Sequence, residues 1–168
     1  MQTTEIVKGS SRHSKITGDF AEALVLYWLS KCGYECAKID HTGIDLIAAI
    51  GSTRIGISVQ ARSRLPGKEK ESVNLHPFKE AQEACKPFGL IPYSAILVDR
   101  GGVVICYLLS LEHLEKIAGG KNETSRSWSM SERFLEEHRN DQKIAQFELT
   151  GCSRWRDGRE SIKVAVGT

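Results

Sequence analysis

The chain has 168 residues, of which 23 are lysine or arginine and 21 are aspartate or glutamate, so its net charge is only +2. Apolar residues make up 40% and charged residues 26%, as in an ordinary globular domain. No apolar run approaches the roughly 18 residues of a membrane helix, and the polar N-terminus lacks the apolar core of a secretory signal. Five cysteines without a CxxC pair favour a reducing, cytoplasmic location.

The first third of the chain is predicted to form a basic arm, a helix and three strands. Residues 1–16 are polar and basic, and a helix follows from Gly18 to Cys32, with Thr17 as its N-cap and Gly33 as its C-terminal stop. Its apolar stripe includes Cys32, which is expected in the core, as are Cys85 and Cys106. Strand patterns follow at residues 34–39, 43–50 and 54–62.

The middle of the chain is predicted to add a second helix and a buried hairpin. Residues 65–76 form a polar loop, and a helix runs from Pro77 to Cys85. "YSAILVD" and "VVICYLLS", separated by "RGG", then predict two antiparallel strands. This order of helices and strands indicates an α/β fold with one central sheet.

The last third has weaker signals. Ser110 is a candidate cap for a short helix to Ile117, and "GGKNETSRSW" has the composition of a linker. "SMSE" predicts a capped helix from residue 129 to about Arg139, and "KIAQFELT" predicts a further strand.

A polar row on the third strand marks a candidate site. Because side chains alternate along a strand, Ser58, Gln60 and Arg62 share one face, opposite the apolar face of Ile57, Val59 and Ala61. Asp45 interrupts the apolar second strand, and Glu22 lies at the margin of the apolar stripe of the first helix. Carboxylates that face a polar row favour Mg²⁺, which takes oxygen ligands and can aim a hydroxide at a phosphodiester.

These elements, with "GDFAE" on the first helix and "GID" on the second strand, resemble the PD-(D/E)xK nuclease superfamily over about residues 14–110. The outline is similar to Holliday-junction resolvases and restriction endonucleases. The resemblance implies a restriction-endonuclease-like core at 17–110, with a central mixed β-sheet flanked by helices and a C-terminal helix and strand extension at 111–168. It also implies that Glu22 and Asp45 hold Mg²⁺ and that the (D/E)xK pair falls on Ser58 and Gln60.

The (D/E)xK pair departs from the pattern, because Ser58 replaces an acid and Gln60 replaces a lysine. Gln60 carries no charge to stabilise a hydroxide or the reacting phosphate. The favoured function is therefore nucleic-acid binding with weakened or absent cleavage. Two alternatives stay open: an active Mg²⁺-dependent endonuclease that uses Asp45 with Arg62 or Lys79, and a non-catalytic protein-interaction module on the same scaffold.

Basic residues near the candidate strand predict contacts with nucleic-acid phosphates. Arg62, Arg64 and Lys68 lie on or just after this strand, and Lys79 lies on the second helix. In the tail, Arg154, Trp155 and Arg156 combine two cations with a ring that can stack on a base. DNA is favoured over RNA, and the resemblance to junction resolvases makes a homodimer an expectation. A zinc site from Cys32, Cys36 and a histidine is a third, minor reading.

Overall fold

The structure is a computed structural model that describes residues 11–75, 78–122 and 125–150. In these ranges the helices are α1 (Ser11–Lys31), α2 (Phe78–Cys85), α3 (Leu111–Ile117) and α4 (Glu132–Glu137), and a 3₁₀ turn, Lys86–Phe88, follows α2. The strands are β1 (Glu35–His41), β2 (Ile44–Ile50), β3 (Thr53–Ser63), β4 (Val73–Leu75), β5 (Ile91–Asp99), β6 (Val103–Ser110), β7 (Gly119–Asn122), β8 (Ser125–Trp128) and β9 (Ala145–Thr150).

The strands form a central sheet of six strands in the order β1-β2-β3-β5-β6-β9 and a small sheet in the order β4-β8-β7. β3 and β5 are parallel, and every other neighbouring pair in the central sheet is antiparallel. The predicted α/β fold with a central mixed sheet flanked by helices is confirmed. The predicted hairpin is β5 and β6, and the final strand pattern is β9, which extends the sheet beside β6.

Two apolar cores cover the two faces of the central sheet. On one face, Ala21, Val25 and Leu29 of α1 pack on side chains that include Ile57 and Leu97. The opposite core contains α2, α3 and the small sheet, which pack on Ile44, Ile96, Val98 and Leu109. The sheet therefore separates α1 from α2, and a site between these helices lies at an edge of the sheet.

Helix α1 begins earlier than the sequence predicted. It starts at Ser11, so residues 11–16 are helical and Thr17 is inside the helix, where its hydroxyl donates to the carbonyl of His13 at 2.8 Å. The predicted N-cap is therefore wrong, because polar residues can extend a helix whose later turns are anchored by packing. Gly33 does end the helix, with φ = 90°. Cys32 is exposed, contrary to prediction, whereas Cys85 and Cys106 are buried.

The polar loop and the linker contain strands that the sequence did not indicate. β4 lies in the predicted loop, and β7 and β8 lie in the linker-like stretch. Each is only three or four residues long, so the core contacts of Val73, Leu75 and Trp128 are too few to give a strand pattern. The helix cap lies two residues later than predicted, because Ser131, not Ser129, accepts from the N–H of Phe134. The cap at Ser110 is confirmed.

Candidate nucleic-acid interface

The candidate site lies where β3 extends beyond β2. Pairing between β2 and β3 ends at Leu46 and Ile57, whereas β3 stays paired with β5 as far as Ser63 and Asp99. Val59 lies two residues beyond Ile57, the last paired residue, and its N–H donates to Oδ2 of Asp45 at 2.7 Å. Asp45 thus caps the edge of β3 at the point where the neighbouring strand leaves it.

The polar row of β3 faces the α2 side of the sheet. Parallel pairing places Gln60 beside Ile96 and Arg62 beside Val98, and both partners belong to the α2 core. Val59 and Ala61 pack instead against the core of α1. The alternation expected from the sequence is therefore present along this strand.

One cleft of about 370 Å³ gathers most of the predicted site. Asp45, Ser58, Gln60 and Arg62 line it from the two strands. Ser14 and Gly18, one turn apart on α1, form part of its wall, and Glu80 of α2 contributes another part. The cleft is partly open to solvent between α1 and α2.

Gly43 fixes how closely α2 approaches this cleft. It has φ = 96° in the turn between β1 and β2, and a Cβ at this position would lie 2.6 Å from the carbonyl oxygen of Glu80. Only glycine permits both this backbone conformation and this contact. The turn therefore sets the distance between Asp45, two residues further along, and the α2 wall.

The environment of Asp45 favours its protonated form more than usual. Burial raises the pKa of the Asp45 carboxyl, and the negative charge of Glu22 raises it further. The hydrogen bond from Val59 and the positive charge of Lys38 act in the opposite direction. Glu22, Asp45 and Lys38 therefore form one electrostatic cluster at the edge of the sheet.

Glu22 does not line the cleft, contrary to the expectation that it shares one cleft with the β3 row. Its Oε2 is buried, and Nζ of Lys38 on β1 lies 2.6 Å from that oxygen. The same ammonium is 3.9 Å from Asp19. Glu22 lies one turn after Gly18 on α1, and its carboxylate is paired with Lys38 of β1 beside the cleft.

Some of the predicted phosphate contacts are occupied by contacts within the protein. Arg64 is 13% exposed, and its Nη2 donates to the carbonyls of Glu71 and Ser72 at 3.1 and 2.8 Å, so it holds the loop after β3. Lys68 pairs with Glu71 at 3.2 Å. Arg62 lines the cleft while donating to the carbonyls of Ala61 and Asn74.

The remaining predicted contacts lie outside the cleft lining or outside the described residues. Lys79 is exposed on α2 but does not line the cleft. Arg154, Trp155 and Arg156 lie beyond the described residues.

The residues present do not fit the Mg²⁺ site that the resemblance implied. In the described ranges, no three histidine, cysteine, aspartate or glutamate side chains converge to hold a metal. Asp45 already accepts from Val59, Glu22 is paired with Lys38, and the second acid of the β3 strand is replaced by Ser58. The oxygen donor set for a hard divalent cation is thus incomplete.

No family model and no curated protein sequence matches this chain. Among solved structures, it is similar to Hjc, a Holliday junction resolvase from Archaeoglobus fulgidus, at 18% identity and a TM-score of 0.51, over 71% of this chain and 88% of the resolvase. It is also similar to a bacterial homing endonuclease, at 13% identity and a TM-score of 0.50, over 74% of this chain and 80% of that protein. The chain has a restriction-endonuclease-like fold.

A third similar structure is a restriction endonuclease in complex with substrate DNA, at 15% identity and a TM-score of 0.43, over 84% of this chain and 72% of that chain.

The sequence predicted the part of the site that the two strands supply, because Asp45 was identified from "GID" and Ser58, Gln60 and Arg62 from the polar row. Sequence reasoning missed Ser14, Gly18 and Glu80 in the cleft lining and Lys38 beside Glu22, because their positions depend on how α1, β1 and α2 pack. None of the described helices has the length and apolar character of a membrane span.

Proposed function

We propose that this protein binds nucleic acid, DNA in preference to RNA, in the cleft at the edge of β3, and that its phosphodiester cleavage is weak or absent. The observation that carries the proposal is the cleft lining itself: Ser58 and Gln60 lie beside Asp45, where the resemblance expects an acid and a lysine. The scaffold and the strand aspartate are kept, and the charged pair is replaced by neutral side chains.

The loss of charge at Gln60 has a large expected cost for catalysis. A preorganised donor aimed at developing negative charge contributes about 2.7–4 kcal/mol to the transition state, which is about a hundredfold to a thousandfold in rate. A glutamine amide can orient a water, but it cannot supply the charge of an ammonium. Binding does not need this group, because backbone phosphates supply most of the affinity for nucleic acid.

Positive charge around the cleft supports nucleic acid as its ligand. Arg62 lies in the lining, Lys79 adjoins Glu80 on α2, and Lys15 follows Ser14 on α1 and is exposed. Lys15 is three residues before Gly18, so both lie on the same side of α1. Two of the structures similar to this chain, at TM-scores of 0.50 and 0.51, are by name a homing endonuclease and a Holliday junction resolvase.

The alternatives have narrower support. An active enzyme that uses Arg62 has a cation in the lining, but arginine stays protonated and cannot exchange protons with water. Lys79 does not line the cleft. A protein-interaction module is favoured by Ile16, Phe20 and Tyr27, which are 65%, 45% and 64% exposed on α1. That apolar surface is also where a second copy of the chain would pack.

Charge removal at the cleft is expected to flatten the salt dependence of DNA binding. Lys15→Gln and Arg62→Gln should each reduce the slope of log affinity against log salt concentration by about 0.7–0.9, because each removes one phosphate contact. The matched control is Lys31→Gln, which removes an exposed lysine from the same helix about 24 Å from Lys15, at 1.5 Å per residue. Fluorescence anisotropy of a labelled duplex over a salt series measures the slopes.

Equal slopes for the wild type, for Lys15→Gln next to the cleft and for Arg62→Gln in its lining would contradict binding in this cleft. DNA binding that does not depend on salt would favour the protein-interaction module instead, because a protein partner has no reason to release phosphate counterions.

A further inference from the structure

Lys38 occupies an unusual position for a lysine on an edge strand. Its side chain is 54% exposed, yet its Nζ contacts a glutamate that is only 18% exposed, at 2.6 Å. The strand that carries Lys38 pairs with β2, and Lys38 itself lies opposite Leu46, the residue after Asp45. The backbone register therefore places Lys38 on the face of the sheet that α1 covers, where Glu22 lies.

The two acids need a positive charge near them. Glu22 has a buried carboxylate oxygen, and Asp45 is partly buried and close enough for the negative charge of Glu22 to raise its pKa. Two carboxylates close together in a partly buried site repel each other, and removal of the compensating charge is costly. Each acid also interacts with Lys38, whose pKa is raised first by its hydrogen bond to Glu22 and further by the charges of Glu22, Asp19 and Asp45.

We propose that Lys38 is a built-in counter-ion of the Glu22–Asp45 pair and takes the place of the divalent cation that the nuclease resemblance implies for these acids. The ammonium, 2.6 Å from Oε2 of Glu22, offsets one of the two negative charges of the pair within the folded chain. A Mg²⁺ or Mn²⁺ ion must displace it or accept repulsion from it, so the pair holds no divalent cation while Lys38 is present.

The inference explains the disagreement between the resemblance and the donor set. In the implied site an acid and a lysine of the third strand accompany the metal, and here neutral Ser58 and Gln60 stand at both positions. Lys38 of β1 supplies a positive charge from the other side. The cleft is left with Arg62 as its positive group, which suits phosphate binding without a metal. The inference itself does not require that the protein bind nucleic acid.

Removal of Lys38 should expose a divalent-cation site. The experiment titrates Mn²⁺ into the full chain at neutral pH, without nucleic acid, and follows free Mn²⁺ by electron paramagnetic resonance. Lys38→Gln should bind one Mn²⁺ at least tenfold more tightly than wild type. Glu22→Gln combined with Lys38→Gln should return affinity to the wild-type level, and Lys31→Gln, at an exposed position on α1, should leave it unchanged.

A thermal melt shows whether the Lys38→Gln variant folds. If it does not, two further variants still test the proposal. Lys38→Arg keeps the positive charge and should bind Mn²⁺ as weakly as wild type. Asp45→Asn in the wild-type background should not change Mn²⁺ affinity. Tight Mn²⁺ binding by wild type that Asp45→Asn weakens would overturn the proposal, as would a folded Lys38→Gln variant with no gain. Either result leaves the salt-dependence test of DNA binding intact.

Discussion

Restoring both missing groups of β3, with Ser58→Glu and Gln60→Lys together, should raise Mg²⁺- or Mn²⁺-dependent DNA cleavage about a hundredfold to a thousandfold above wild type. The glutamate at position 58 would face Asp45 from the neighbouring strand, so that two carboxylates of the cleft could hold the metal without Glu22. The lysine at position 60 would supply the charge that stabilises the attacking hydroxide and the reacting phosphate. Conversion of a labelled duplex on denaturing gels gives the rates.

Two controls show whether the gain belongs to this cleft. Asp45→Ala added to the double variant should abolish the cleavage, because the strand aspartate is then missing. Gln146→Lys, on exposed β9, makes the same chemical change elsewhere and should give no gain. Rapid wild-type cleavage that survives Asp45→Ala would place the active site elsewhere. Wild-type cleavage that depends on Asp45 and Arg62 would favour the active-enzyme alternative.

Gly43→Ala should reduce the free energy of unfolding by about 2 kcal/mol or more. A non-glycine residue at φ = 96° costs about 1–3 kcal/mol. The new Cβ would also lie 2.6 Å from the carbonyl of Glu80, and forced repacking of this kind costs about 1–3 kcal/mol. Backbone atoms of a helix cannot turn aside as a flexible side chain can, so α2 must move as a unit. Urea denaturation measures the loss.

Gly67→Ala is the matched control for this substitution. Gly67 also has strongly positive φ, at 87°, but a Cβ there would meet nothing within 4 Å. The control variant should therefore lose only the free energy of unfolding that the strained backbone costs. The difference in free energy between the two variants reports the cost of the contact with α2. Equal losses for both variants would mean that the approach of α2 to the turn contributes nothing. Because Gly43 and Glu80 both line the cleft, the larger loss should be accompanied by weaker DNA binding.

The large elements of this fold could be predicted from the sequence, and the small ones could not. α1 has a core-facing stripe and a glycine stop, and β5 and β6 are apolar runs around a turn, so local pattern and packing agree. β4 has three residues, of which only Val73 and Leu75 are buried. Its neighbour β8 buries Trp128. Such strands form because partners from distant parts of the chain complete them, and a local pattern cannot show this.

The candidate site could likewise be predicted only in part. The alternation of β3 placed Ser58, Gln60 and Arg62 on one face, because the strand period fixes it. The partners of the acids depend on the register between strands and on the position of α1. Lys38 lies in an ordinary strand pattern, and only the pairing of β1 with β2 brings it to Glu22. Arg64 likewise belongs to a basic run of the sequence, and only the folded loop after β3 gives its guanidinium the carbonyls of Glu71 and Ser72 as partners.

The most direct test of the central claim is DNA binding and cleavage by the wild-type chain, measured on the same samples. A labelled duplex is titrated at several salt concentrations, with EDTA and with Mg²⁺, and each sample is then run on a denaturing gel. The account predicts affinity that falls linearly with log salt concentration, equal affinity with EDTA and with dilute Mg²⁺ at matched ionic strength, and uncut or barely cut strands. Absent or salt-independent binding, or rapid Mg²⁺-dependent cleavage lost in Asp45→Ala, would contradict it.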